Sequence, residues 1–139
     1  MAGCSILQPI GRVLKSLALL GKIGMIHEID AKGKPLGRLA SEIAVILQGK
    51  KSPSYAPNRV SGDKVRLRNY AQFAITGKKM TGKLYHHHTG YMGHLKTKTL
   101  AQVYEKDPKR VVREAVRKML PKNFLNQRRL NNLTFVESE

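Results

Sequence analysis

Apolar and polar positions change period several times along the chain, and the changes mark out elements. Ile26–Asp30 reads as a short strand. Gly33 and Pro35 then punctuate a turn and a helix start, since proline suits the first helical turn. Leu36, Leu39, Ala40, Ile43, Ile46 and Leu47 recur at helical spacing, and Gly49 is a natural stop. Residues 52–63, SPSYAPNRVSGD, are rich in Pro, Ser, Gly and Asn and predict a loop. Val65 and Leu67 alternate with Arg66 and Arg68, the pattern of a half-buried strand. Phe73–Thr76 predicts another short strand.

Residues 77–98 carry Gly, Lys and His without an apolar period, so they predict a long loop of the kind usually kept for function. Leu100 and Val103 suggest a short helix ending near Asp107. Asp107 can cap a further helix with Pro108 in its first position. Val111, Val112, Ala115, Val116, Met119 and Leu120 form the apolar stripe of that helix, and Pro121 blocks its continuation. Phe124–Arg129 starts one more basic helical turn, and Leu133–Val136 reads as a last strand or an extended tail. The order strand, helix, strand, strand, loop, helices predicts a small α/β layer with helices on its sheet. Residues 26–139 read as one domain. Residues 1–25 read as an N-terminal extension: a tail, an alternative start upstream of Met25, or a targeting segment.

Charge changes the picture more than hydropathy does. The 139 residues hold 26 Lys and Arg against 9 Asp and Glu, a formal charge of +17. Residues 49–98 contain eleven basic residues and one acid, Asp63, and residues 109–129 contain eight more against Glu114. Such an imbalance points to a polyanionic partner, nucleic acid first. A membrane surface is disfavoured, because the chain has no Trp and three Phe to serve as apolar anchors. Cys4 is the single cysteine, so no disulfide within the chain and no cysteine-based zinc site can be built.

Two motifs bear on chemistry. Gly77-Lys-Lys-Met-Thr-Gly82-Lys83-Leu84 has the spacing of a phosphate-binding loop, but Leu84 lacks the hydroxyl that would hold Mg²⁺. Tyr85-His-His-His-Thr-Gly-Tyr-Met-Gly-His94 holds four of the five histidines. If that segment is extended, His86 and His88 share a face and His94 could return after a turn, a zinc set for a nucleic-acid enzyme. The acid-free stretch between Asp63 and Glu105 and the surrounding lysines oppose this. Contact with nucleic acid fits better: His and Tyr can stack on bases, and glycine lets backbone approach a phosphate. No catalytic constellation is evident, and no cofactor, metal or small-molecule substrate is expected.

Several blocks together, IDAKGKPLGRLASEIA (29–44), LQGK (47–50), YAPN (55–58), ITGKK (75–79), KLYHHHTGYMG (83–93) and AVRKMLPKN (115–123), resemble the L-thirteen family of large-subunit ribosomal proteins in its bacterial form. The resemblance implies a mixed four-stranded sheet with helices packed on both faces, plus the long basic loop. It implies a structural protein that binds 23S ribosomal RNA, meets neighbouring large-subunit proteins, supports early subunit assembly and has no catalytic activity. The site residues that map onto the family's RNA-facing motifs are Arg38, Lys50, Lys51, Lys78, Lys79, Lys83, Tyr85, His86, His87, His88 and Lys122. The basic and aromatic pattern adds Arg59, Tyr91, Lys96, Arg128 and Arg129. A cytoplasmic ribosome is expected, with the mitochondrial ribosome as the alternative that residues 1–25 leave open. A regulatory role on messenger RNA outside the ribosome would use the same surface.

Overall fold

The computed structural model describes residues 24–137, so the readings of residues 1–23 lie outside the described residues. Ten elements follow in order. Strand β1 is Ile26–Asp30, helix α1 is Leu36–Gln48 and strand β2 is Lys64–Arg68. A single helical turn α2, Lys79–Gly82, leads into β3, Leu84–His88, and β4, Leu95–Thr99. Helices α3, Leu100–Lys106, α4, Pro108–Met119, and α5, Leu125–Leu130, precede β5, Leu133–Phe135.

The α/β class stands as predicted, with a different division of strands. The main sheet has three strands in the order β1-β2-β5, all parallel, and β3 and β4 form a separate antiparallel hairpin. Phe73–Thr76 is no strand: it contributes one parallel bridge, Ala74 to Pro35. There the Ala74 carbonyl accepts the otherwise orphan Leu36 N–H at the start of α1 (3.1 Å).

The sheet faces are set by side-chain alternation. Register places Ile29, Leu67, Val65 and Leu133 on one face, and all four are buried. The other face carries Glu28, Arg66, Arg68 and Thr134, all exposed. Glu28 bridges Arg68 at 2.8 Å and Arg66 at 3.8 Å across it. Among the described residues the helices therefore cover one face, not both. Leu39, Ile43 and Leu47 of α1 meet Val111, Val112 and Val116 of α4 over Val65 and Leu67, and all eight are nearly fully buried.

Local signals explain the helix boundaries. Gly49 ends α1 with φ 78°, and the Lys50 N–H reaches back to the Val45 carbonyl (3.2 Å). A Cβ on Gly49 would also lie 2.7 Å from the Ser61 Cβ, so glycine is required twice there. Asp107 caps α4 by accepting the Arg110 N–H (3.2 Å), with Pro108 at the first position. Thr99 caps α3 in a reciprocal box with Gln102.

Candidate nucleic-acid interface

The segment predicted as one long loop is mostly the β3–β4 hairpin. Its strands bring Tyr85 opposite Lys98, His86 opposite Thr97, His87 opposite Lys96 and His88 opposite Leu95. Cross-strand partners share a face. Tyr85, His87, Lys96 and Lys98 therefore lie on one side, with Leu84, His86, His88 and Leu95 on the other. Apart from Tyr85 and Thr99, every hairpin strand residue is exposed. This is why no apolar period marks it: neither side of these strands enters the core as a face.

The turn is drawn in by the Thr89 N–H to the His94 carbonyl (3.3 Å) and by the Gly90 N–H to His88 Nδ1 (3.0 Å). Gly90 and Gly93 adopt φ 94° and 74°, backbone that glycine reaches without strain. Between them Tyr91 and Met92 are 76% and 93% exposed. His86 and His88 do share a face, as an extended strand requires. Even so, among the described residues no three His, Cys, Asp or Glu side chains converge as a metal set.

Tyr85 anchors the hairpin. Its half-buried ring packs against the core, with Lys83 Nζ 5.4 Å and Lys118 Nζ 5.8 Å from the centroid. Burial first, and the Glu114 charge second, push its phenol above the usual tyrosine range. Burial first, then Lys118 and Lys79, hold the Lys83 ammonium below the usual lysine range. Lys118 and Lys79 thus act on Lys83 as like charges, an arrangement that an arriving phosphate would relieve. Lys78, Lys79 and Lys83 also line a cavity of about 440 Å³ that reaches Leu36 and Gly37 at the start of α1. The exposed Arg38 is the next residue of that first turn.

The remaining predicted residues form two further groups. Lys51 and Arg59 line a cavity of about 470 Å³ walled by the 52–63 loop, and Lys50 is exposed beside them in sequence. Lys122 and Arg128 are exposed near Phe124, whose ring is 77% exposed and lies 5.9 Å from the Arg128 guanidinium. Arg129 departs from its predicted role. Its side chain is 1% exposed and cannot meet RNA directly. Two further lysines join the group around Tyr85: Lys98, its partner in register, and Lys118, which reaches the same ring from α4. Hairpin pairing would have pointed to Lys98. Lys118 converges only through tertiary packing.

Among the described residues most of the acids are occupied elsewhere, Glu105 excepted. Glu42 pairs with Lys34 (3.5 Å), Glu28 with Arg66 and Arg68, Glu114 with Arg117 (3.0 Å) and Glu137 with Lys109 (2.9 Å). Asp107 caps α4, and Asp63 accepts from the Ser61 hydroxyl and the Met25 amide. Among the described residues, none of Arg38, Lys50, Lys51, Arg59, Lys78, Lys79, Lys83, Lys96, Lys122 or Arg128 has an ion-pair partner.

Comparison with known proteins gives the family. Residues 24–139 match the family described as ribosomal protein L13. The large ribosomal subunit protein uL13 of Alkalilimnicola ehrlichii is 45% identical over 107 residues, 77% of this chain and 75% of that protein. The uL13 of Stenotrophomonas maltophilia strain K279a is 48% identical over 105 residues, 76% of this chain and 74% of its own length. The uL13 of Geobacter sulfurreducens is 47% identical over 105 residues, 76% of this chain and 73% of its own.

Proposed function

The chain belongs to the ribosomal protein L13 family, and from that premise we propose that it binds 23S ribosomal RNA and supports early assembly of the large subunit in the cytoplasm. As a member of the family it is a structural constituent of the large ribosomal subunit and a component of translation, not an enzyme. The binding surface is the β3–β4 hairpin with Lys78, Lys79 and Lys83 at its base, extended by Arg38, by Lys50, Lys51 and Arg59, and by Lys122 and Arg128.

One observation carries this reading: the predicted surface cations have no acid partner among the described residues, while most of the acids are engaged with other groups. Unpaired cations of one sign repel each other, and RNA phosphates supply the missing charge. His86, His87, His88 and Tyr91 offer exposed rings for stacking beside those cations. Tyr85 acts from inside, holding the hairpin to α4. The same surface would serve binding to messenger RNA outside the ribosome.

Titration against 23S ribosomal RNA at rising salt tests the surface. Replacing Lys78, Lys79 and Lys83 together by Ala should weaken binding and flatten the salt dependence by up to about 0.9 in log–log slope per lost phosphate contact on a duplex. A slope equal to wild type would put the contacts elsewhere.

A further inference from the structure

Arg129 is nearly fully buried and has no carboxylate partner. Its Nη2 donates to the carbonyls of Pro57 (3.2 Å) and Arg59 (3.3 Å), while Nε and Nη1 find no acceptor in the described structure. Buried guanidinium groups are normally neutralised, because leaving one unpaired opposes folding. This one does a specific job. Residues 53–60 otherwise bond only to one another and to Ser52, through Tyr55 to Ser52, Arg59 to Ala56 and the Ser52–Ser54 pair. Among the described residues, the two bonds from Arg129 are the only hydrogen bonds joining that stretch to the body of the protein. Asn132 secures the next residue, donating to the Ser61 carbonyl at 3.3 Å.

The stretch so held walls the cavity of about 470 Å³, with Lys51, Ser52, Ser54 and Arg59 in its lining, and with one acid, Asp63, whose carboxylate accepts from the Ser61 hydroxyl and the Met25 amide. Lys51 and Arg59 have no ion-pair partner, and the Ser52–Ser54 hydroxyl pair leaves one hydroxyl donor for a phosphate oxygen. We infer that Arg129 is a positioning residue for a phosphate-binding pocket in the 52–63 loop. It fixes the backbone at Pro57 and Arg59 so that Lys51 and Arg59 converge on one RNA phosphate, whose charge also offsets the buried cation. This rests on the RNA-binding reading above. It differs in making a side chain that cannot touch RNA necessary for one contact.

A double-mutant cycle tests it, with 23S ribosomal RNA as the probe. Arg129→Met keeps the buried volume and removes charge and donors. Arg59→Ala removes the presented cation. Each should weaken binding by roughly tenfold, the scale of one charge-assisted contact. The double variant should be no weaker than the weaker single variant, since both lose the same contact. Amide exchange at Arg59, whose N–H donates to the Ala56 carbonyl (3.2 Å), should quicken in Arg129→Met without RNA, while Val65 and Leu67 stay protected. Arg129→Lys, which keeps the charge, gives a second variant should the methionine chain not fold, and should bind several-fold more weakly than wild type. Wild-type binding by the Arg129 variants would overturn the proposal, as would losses that multiply in the double variant. Failure of wild type itself to bind would instead remove the RNA reading beneath it.

Discussion

Asp30 accepts the Lys32 amide at 3.0 Å and the Asn69 side chain at 2.8 Å, and these bonds hold its carboxyl below the usual range. A folded value below the unfolded one means that the stabilisation is present above the unfolded range and is lost as pH falls through the folded value. Asp30→Ala should therefore lower the melting temperature at neutral pH, and the gap from wild type should close in acid. A gap that persisted in acid would remove these bonds as its cause. Lys83 has the opposite relation to its environment: burial and its neighbours Lys118 and Lys79 disfavour its charged form. An arriving phosphate favours it again, so RNA binding should take up protons under alkaline conditions. Calorimetry in buffers of different ionisation enthalpy measures that uptake, which should shrink in Lys83→Ala. Sequence proposes Lys83 as a phosphate contact because it stands in a Gly- and Lys-rich run. It could not separate Arg128, exposed, from its neighbour Arg129, buried, since that depends on how α5 meets the 52–63 loop.

At the level of elements, helices were the legible part. The stripe from Leu36 to Leu47 and the Asp107-Pro108 start of α4 both lie where spacing and capping chemistry place them. The hairpin was not legible, because a strand is recognised by one buried face and this hairpin has none. Its apolar members Leu84 and Leu95 are 50% and 57% exposed, and the rest are His, Lys, Thr and a single Tyr. Pairing comes instead from the strands' own ladder, the glycine turn and the Tyr85 anchor. Thr99 matters at its far end, closing β4 and capping α3 at once. Thr99→Ala should cost about 1 kcal/mol in denaturant unfolding, as lost caps do. No measurable change would mean that the box with Gln102 does not hold α3 in solution.

For the whole molecule, the division of charge follows from the fold. The α/β class was readable from the order of elements, but the number of faces covered was not. That depends on where β5 inserts, and its three residues carry little pattern of their own. Leu67 stands at the centre of the buried face, so Leu67→Ala should lose about 2–5 kcal/mol, as buried leucines generally do. Such a loss would weaken RNA binding only through unfolding, leaving the salt slope of the folded fraction unchanged. The surface cations are the converse case: their replacement should leave stability unchanged and weaken binding to the proposed partner. Sedimentation through a sucrose gradient with intact ribosomes bears on this most directly. The chain should migrate with the large subunit and stay there at moderate salt, whereas protein left at the top of the gradient while the ribosomes remain intact would contradict it.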